Sequence, residues 1–326
     1  MTLALIDRFR DRLPVSASTP VVSLGEGSTP LLAAPRLARS ASLRELWLKW
    51  EASNPTGSYK DRGMTVAVSK ALEQGAEAVL CASTGNTAAS AAAYAARAGL
   101  PALVLTPEGA VSGAKLAQTR MLGATVLEVQ GSFDDALRAV QELADRGGHV
   151  LVNSLNPNRR EGQKTAVFEV VEELGEAPDA FVLPYGGGGN TSSYAQALAE
   201  LGLETPIVSV EATDRRATLA TAIRIGRPVH AASVQHSGAR VLDASDDELV
   251  SAWRTLAEEE GLFCEPSSAA GLAAVLRGDV EGDRIVVTIT GHGLKDPASA
   301  DVHAPRPIRV PPDPDAILGA SRAGKR

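Results

Sequence analysis

The chain reads as an α/β protein built on mostly parallel, twisted sheets with helices on both faces. Three observations lead there. From Asp61 onward an amphipathic stretch, a glycine turn, a short β-rich run and a polar loop recur in that order. The β-rich runs are short and apolar, as buried strands are. They alternate with helices, which implies right-handed crossovers and a parallel sheet covered on two sides.

Taken in order, "DRGMTVAVSKALEQG" has the apolar spacing of a helix and closes at Gly75. "EAVLCA" is a strand, "STGNT" a loop, and "AASAAAYAARAG" a helix of small residues able to pack closely. "PALVLTP" and "GAKLAQTRMLG" repeat the pair, as do "ATVLEVQ" and "FDDALRAVQELADRG". "HVLVNS" leads into a loop and then the helix "QKTAVFEVVEELG"; "DAFVLPY" precedes a glycine run and the helix "SSYAQALAELG". "PIVSVEA" and "RIVVTITG" are further buried strands. The loops "STGNT", "NSLNPNR", "PYGGGGN" and "TGHGLKDP" all follow strands, so they should share one rim, where ligands of such sheets bind. The tail after His303 is proline-rich with a basic end and reads as an extended or disordered arm.

Composition narrows the function. At 326 residues the chain suits two domains or two lobes and needs no metal or disulfide staple. Its 32 Lys and Arg against 39 Asp and Glu give a net charge of −7 with scattered acidic residues, which argues against nucleic-acid or anionic-membrane partners. Cys81 and Cys264 each end an apolar stretch and read as buried free thiols, which fits a reducing cytoplasm. The N-terminal "MTLALIDRFRDRLP" has helical spacing but no long apolar core, so it is neither a signal peptide nor a membrane span.

The chemistry concentrates in three places. "PYGGGGNTSSY" puts four glycines, Gly186 to Gly189, between a strand and a helix start, an arrangement that cradles an anion on backbone N–H groups. It fits neither a Walker A loop, lacking the Lys-Ser/Thr, nor the dinucleotide fingerprint, since Thr191 stands where glycine is required. "STGNTAAS" suits a carboxylate or the substituents of a cofactor ring, or plain N-capping by Thr87. Lys60, in "NPTGSYKDRG", is either a surface cation or a covalent anchor. A lysine and a phosphate cradle on one rim point to pyridoxal 5′-phosphate (PLP), with Lys60 as its Schiff-base partner. Thr290 can set its hydroxyl against the pyridine nitrogen, whereas His292, between glycines, reads as mainly structural. The remaining histidines share no motif, so neither a zinc cluster nor a Ser-His-Asp triad is expected.

"GEGSTPLL", "NPTGSYKDRGM", "STGNTAAS", "NSLNPNRREGQKT", "ATAIRIG", "EPSSAA" and "TGHGLKDP" occur in the order seen in threonine synthases. The chain resembles that family, fold type II PLP enzymes of the tryptophan synthase β group, over nearly its whole length. The resemblance implies that Lys60 is the Schiff-base lysine and catalytic base. It further implies that Asn86 meets the cofactor's 3′-oxygen, that Gly186, Gly187, Gly188, Gly189 and Asn190 hold its phosphate, and that Thr290 faces its ring nitrogen. Ser83, Thr84 and Thr87 would take the substrate's carboxylate, and Lys115, Asn153, Ser154 and Arg159 its phosphate. The implied reaction converts O-phospho-L-homoserine and water to L-threonine and phosphate. The resemblance also implies a homodimer, a small mobile lobe at residues 50–154 and a large lobe from residues 1–49 and 155–326. Three positions depart from the family. Gly187 replaces a common asparagine, the stretch from Glu211 to Asp246 is shorter, and Tyr59 replaces a phenylalanine. The first two leave open a paralogue performing β/γ-elimination or replacement on a related amino acid, or an amino-acid dehydratase.

Overall fold

The computed structural model describes residues 3–109 and 113–323. The chain starts with a short helix, α1 (Leu5–Arg8), then β1 (Leu31–Ala33), α2 (Pro35–Ser40) and β2 (Glu45–Trp50). A first run of crossovers follows: α3 (Lys60–Glu73), β3 (Ala78–Ala82), α4 (Asn86–Ala98), β4 (Ala102–Pro107), α5 (Gly113–Met121), β5 (Thr125–Val129), α6 (Phe133–Asp145) and β6 (His149–Leu151). The remainder holds α7 (Pro157–Leu174), β7 (Ala180–Pro184), α8 (Gly189–Leu201), β8 (Ile207–Ala212), α9 (Ala231–His236), β9 (Arg240–Ala244), α10 (Asp246–Glu260), α11 (Ala270–Arg277), β10 (Arg284–Ile289), α12 (Pro297–His303) and α13 (Pro314–Ala323).

The strands sort into two sheets. One has the order β1-β2-β10-β7-β8-β9, the other β5-β4-β3-β6. Every pairing is parallel except β1 with β2, so the expected architecture is met. Period-two alternation sends successive residues to opposite faces. Val182 and Val287 face one buried cluster with α10 and α11, while Phe181, Leu183 and Val286 face another with α7 and α8. In the smaller sheet Val79 and Cys81 pack with α3 and α4, and Leu80 and Ala82 pack with α6. Both cysteines are free and buried, as the sequence predicts.

Three elements differ from the sequence reading. Helix α7 begins at Pro157, so Arg159 lies in its first turn and not in a loop; Asn156 caps it by accepting from the N–H of Asn158. Helix α8 begins at Gly189, three residues early, because the glycine run turns directly into it. The tail is not wholly extended. Asp313 accepts from the N–H of Ala316, and Pro314 opens α13.

Helices α3 and α7 cross with their backbones in contact. A methyl group at Gly162 would lie 1.9 Å from the Arg62 carbonyl oxygen, and one at Gly63 would lie 2.4 Å from that of Arg159. This crossing holds the start of α3, where Lys60 sits, against the start of α7.

Candidate active site

Lys60 owes its position to its neighbours. Asp61 is fully buried and accepts from Thr56 N (2.7 Å), Thr56 Oγ1 (2.7 Å) and Ser90 Oγ (2.6 Å). Arg62 is also fully buried, with Nε on Glu51 at 2.7 Å, Nη1 on Glu169 at 2.7 Å and Nη2 on Glu169 at 2.6 Å. Lys49 adds a second cation, 2.9 Å from Glu169. With these two side chains locked inward, α3 starts with Lys60 half-buried at the rim. Its Nζ donates to the Tyr59 hydroxyl at 2.7 Å and stands 4.5 Å from the centre of that ring. Tyr59 N donates to the Thr290 carbonyl (3.0 Å), which ties the turn to the carboxyl end of β10.

Helix starts in this fold are of two kinds. Helices α6, α7 and α10 are capped by the side chains of Ser132, Asn156 and Ser245. Helices α4 and α8 start from Gly85 and Gly188 with no side-chain cap. The capping alternative for Thr87 therefore fails: Thr87 lies inside the first turn of α4. Uncapped first-turn N–H groups and the positive end of the helix dipole favour an anion at both places. Gly188 has φ +81°, a left-handed conformation, and a methyl group there would lie 3.1 Å from Val234 Cγ2 and 3.2 Å from Tyr185 Cε2. The segment from Ala222 to His230 roofs this loop; a methyl group on Gly186 would come within 3.3 Å of the Ala222 oxygen.

The strand ends bring most of the expected residues together. Asn86 Nδ2 donates to Glu265 at 2.6 Å, and the other oxygen of Glu265 is 2.5 Å from Lys115 Nζ. Lys115 thus lies beside the 83–87 loop, with Gly85 next to its stem, but its charge is already paired. Thr290 Oγ1 is 2.9 Å from Ser268 Oγ. Ser83 Oγ accepts from Gly85 N (3.1 Å), and Thr84 and Thr87 are half-buried in the same loop. Asn153 does not offer its amide to the site: Oδ1 accepts from Ala82 N and Nδ2 donates to Ala82 O, each at 2.8 Å. It continues the pairing of β6 with β3 past the end of their backbone ladder. Ser154 faces the glycine loop, 3.9 Å from a methyl group placed on Gly189. His292 is built into its turn, where Nδ1 accepts from Leu294 N.

Unmet hydrogen-bonding capacity marks this place. Seven buried side-chain polar atoms lack a hydrogen-bond partner among the described residues, and five are here: Ser58 Oγ, Asn86 Oδ1, Arg159 Nε, Asn190 Nδ2 and Glu265 Oε1, the last with Lys115 close but off the bonding direction. Such atoms are costly unless a polar guest meets them. Arg159 is the clearest case. It is 1% exposed, donates from Nη1 to the Val152 carbonyl (2.8 Å) and only at 3.5 Å from Nη2 to the Lys60 carbonyl. Among the described residues no carboxylate forms an ion pair with it, unlike Arg62, and burial pulls its guanidinium pKa down despite the nearby charge of Asp61. A buried cation of this kind favours an anionic partner.

The pyridoxal-phosphate dependent enzyme family matches residues 22–291, most of the chain. The chain belongs to that family. Among its relatives, a threonine synthase from Synechocystis sp. is 44% identical, covering 98% of this chain and 90% of the relative. A threonine synthase from Mycobacterium tuberculosis is 46% identical over 96% of this chain and 94% of its own. The crystal structure of a threonine deaminase from T.th. aligns with a TM-score of 0.73 at 27% identity, covering 88% of this chain and 96% of that one. The fold is thus that of fold type II PLP enzymes, and the protein is pyridoxal-phosphate dependent.

The residues present fit that cofactor. An amine, an uncapped helix start lined with glycine, a hydroxyl at a strand end and an amide nitrogen with a hydrogen beyond the one given to Glu265 suit its aldehyde, phosphate, ring nitrogen and 3′-oxygen. Among the described residues no cluster of His, Cys, Asp or Glu could hold a metal ion, and no helix is long and apolar enough to cross a membrane. Two residues here escaped the sequence reading. Glu265 and Ser268 both belong to "EPSSAA", a motif noticed only as a family mark; a buried Glu-Pro pair beside small residues was the available signal.

Proposed function

We propose that this protein is a threonine synthase, a PLP-dependent lyase that converts O-phospho-L-homoserine and water to L-threonine and phosphate. The observation that carries the reading is Arg159, a buried cation with no paired carboxylate among the described residues, which lies by the Lys60 carbonyl and belongs to α7, not to the glycine loop. A substrate with its own phosphate needs such a second anion site. Identity of 44% and 46% to threonine synthases over nearly the whole chain supports the same conclusion.

In this reading Lys60 holds the cofactor through Nζ and moves the substrate's α-proton. The backbone of Gly186, Gly187, Gly188 and Gly189 with Asn190 receives the cofactor's phosphate. Asn86, its amide oriented by Glu265, meets the 3′-oxygen. Thr290, paired to Ser268, faces the ring nitrogen with a hydroxyl, which does not force protonation there. When bound, the cofactor supplies an electron sink for charge developing on the substrate carbons, which no side chain present can provide. Ser83, Thr84 and Thr87, with the free amides of α4, take the substrate's carboxylate. Arg159 and Ser154 hold its phosphate as it leaves Cγ. Asn153 acts by fixing the turn that carries Ser154, and Lys115 reaches the substrate by exchanging Glu265 for it. Residues 50–154 form a small lobe that closes on the large one, residues 1–49 and 155–326, and keeps water out until it is needed. The four-stranded sheet, whose strands run from Ala78 to Leu151, supports that boundary. The same reading carries a homodimer in the cytoplasm, checked by sedimentation and by cell fractionation.

The test is direct. PLP-loaded protein given O-phospho-L-homoserine should release threonine and phosphate in equal amounts; a loaded protein inert to it removes the proposal. Gly187, which removes the side-chain amide common at that position, and the 27% identity to a threonine deaminase favour one second reading, a dehydratase. Release of ammonia from threonine or serine, with no turnover of the phosphorylated substrate, would establish that instead.

A further inference from the structure

His230 lies in no motif, yet it reaches the middle of the site. Its backbone N donates to the Gly187 carbonyl at 3.0 Å, and its ring Nε2 stands 3.0 Å from the Ser154 carbonyl. Because a carbonyl only accepts, Nε2 carries the proton. The ring lies on Gly189: a methyl group there would be 3.4 Å from His230 Cδ2 and 3.9 Å from Ser154 Cβ. One side chain therefore joins the wall of the glycine cradle to the turn that carries Ser154, and no other side chain hydrogen bond among the described residues spans that gap. The segment supplying it, between β8 and β9, is the one that reads as shortened.

We infer that His230 is a positioning residue that sets affinity for the substrate's phosphate by holding the Ser154 turn against the cradle. The inference rests on the threonine synthase reading and names a determinant of its specificity. A purely space-filling role would need no nitrogen, whereas this ring spends its one N–H on the Ser154 carbonyl. Burial holds its pKa below the ordinary value, against the opposing effect of the Ser154 bond, with Arg160 and Lys60 adding repulsion. The ring therefore stays neutral near pH 7 and acts through its hydrogen bond, not as a cation.

The experiment compares holoenzyme of wild type, His230→Ala and His230→Gln, the glutamine keeping an N–H donor of similar reach. Calorimetry measures the Kd of inorganic phosphate, and steady-state kinetics measures KM and kcat for O-phospho-L-homoserine. His230→Ala should raise the phosphate Kd and the substrate KM together, by about tenfold, the scale of one lost hydrogen bond in a charged site, with a smaller change in kcat. His230→Gln should recover most of that loss. An alanine variant with unchanged phosphate Kd and KM overturns the inference. So does a pair of variants equally damaged in cofactor binding and thermal stability, which would make the residue structural. Either result leaves the threonine synthase reading intact if the wild type turns over the substrate; an inert wild type that still binds phosphate through His230 removes that reading alone.

Discussion

Replacing Arg159 by methionine separates a buried cation kept for a ligand from one kept for the fold. The change keeps an unbranched side chain and removes the guanidinium, whose Nε lies against Gly63. What the fold loses is one good hydrogen bond, Nη1 to the Val152 carbonyl at 2.8 Å, worth about 1.5–3 kcal/mol for a charged donor. The contact to the Lys60 carbonyl at 3.5 Å adds little. What the fold gains is relief from burying a charge with no counter-ion, several kcal/mol in similar settings and so of the same order. The two nearly cancel, and the variant without ligand should unfold within about 1 kcal/mol of wild type in urea. Binding behaves differently. A guanidinium facing phosphate makes charge-assisted, often paired hydrogen bonds, and losing about 3–4 kcal/mol lowers kcat/KM by about a hundred- to a thousandfold. Urea titration of the cofactor-loaded variant and steady-state kinetics read the two quantities. A variant that loses several kcal/mol of stability yet keeps its kcat/KM would refute the reasoning.

Three further outcomes follow from the same geometry. Glu169→Gln breaks the buried cluster of Arg62, Lys49 and Glu169 and should cost about 3–5 kcal/mol in urea unfolding; a loss under 1 kcal/mol would mean the cluster is not coupled. Gly188→Ala forces a left-handed residue against Val234 and Tyr185, about 1–2 kcal/mol before any clash, so the PLP titration midpoint should shift by about tenfold or more, and an unshifted midpoint counts against the cradle. Asp61 is pushed up to about 6 by burial, which outweighs its bonds from Ser90 and Thr56. Its folded pKa exceeds the ordinary 3.8, so its stability contribution is complete below that value and is lost as pH rises through about 6, a swing of about 3 kcal/mol. Asp61→Asn should flatten that part of the melting-temperature profile, and an identical slope in both proteins would contradict the assignment.

The parallel architecture was legible because it rests on local signals: apolar runs of strand length, helical spacing and glycine stops each declare themselves within a few residues. The shared rim followed from topology alone: contacts through Tyr59 and Gly291 bring Lys60, Thr290 and Asn86 close, and the glycine run follows β7, the neighbour of β10. What was not legible depends on partners far away in the chain. Nothing near Asn153 announces that Ala82 takes its amide, and nothing near Lys115 announces Glu265. His230 was passed over since its importance comes from Gly187 and Ser154, distant residues that the fold alone brings to it. Arg159 was read as part of a loop, and it lies in the first turn of α7. Asn156 followed by Pro157, a cap and a first-turn proline, was the available sign of an earlier helix start.

The account depends most on which amine carries the cofactor. Borohydride reduction of the PLP-loaded protein, followed by peptide mass spectrometry, should find the pyridoxyl group on Lys60, with the visible absorption of the loaded protein absent in Lys60→Ala. The same label on Lys115 or Lys295, the two buried lysines nearby, or a Lys60→Ala protein with unaltered absorption, would contradict it.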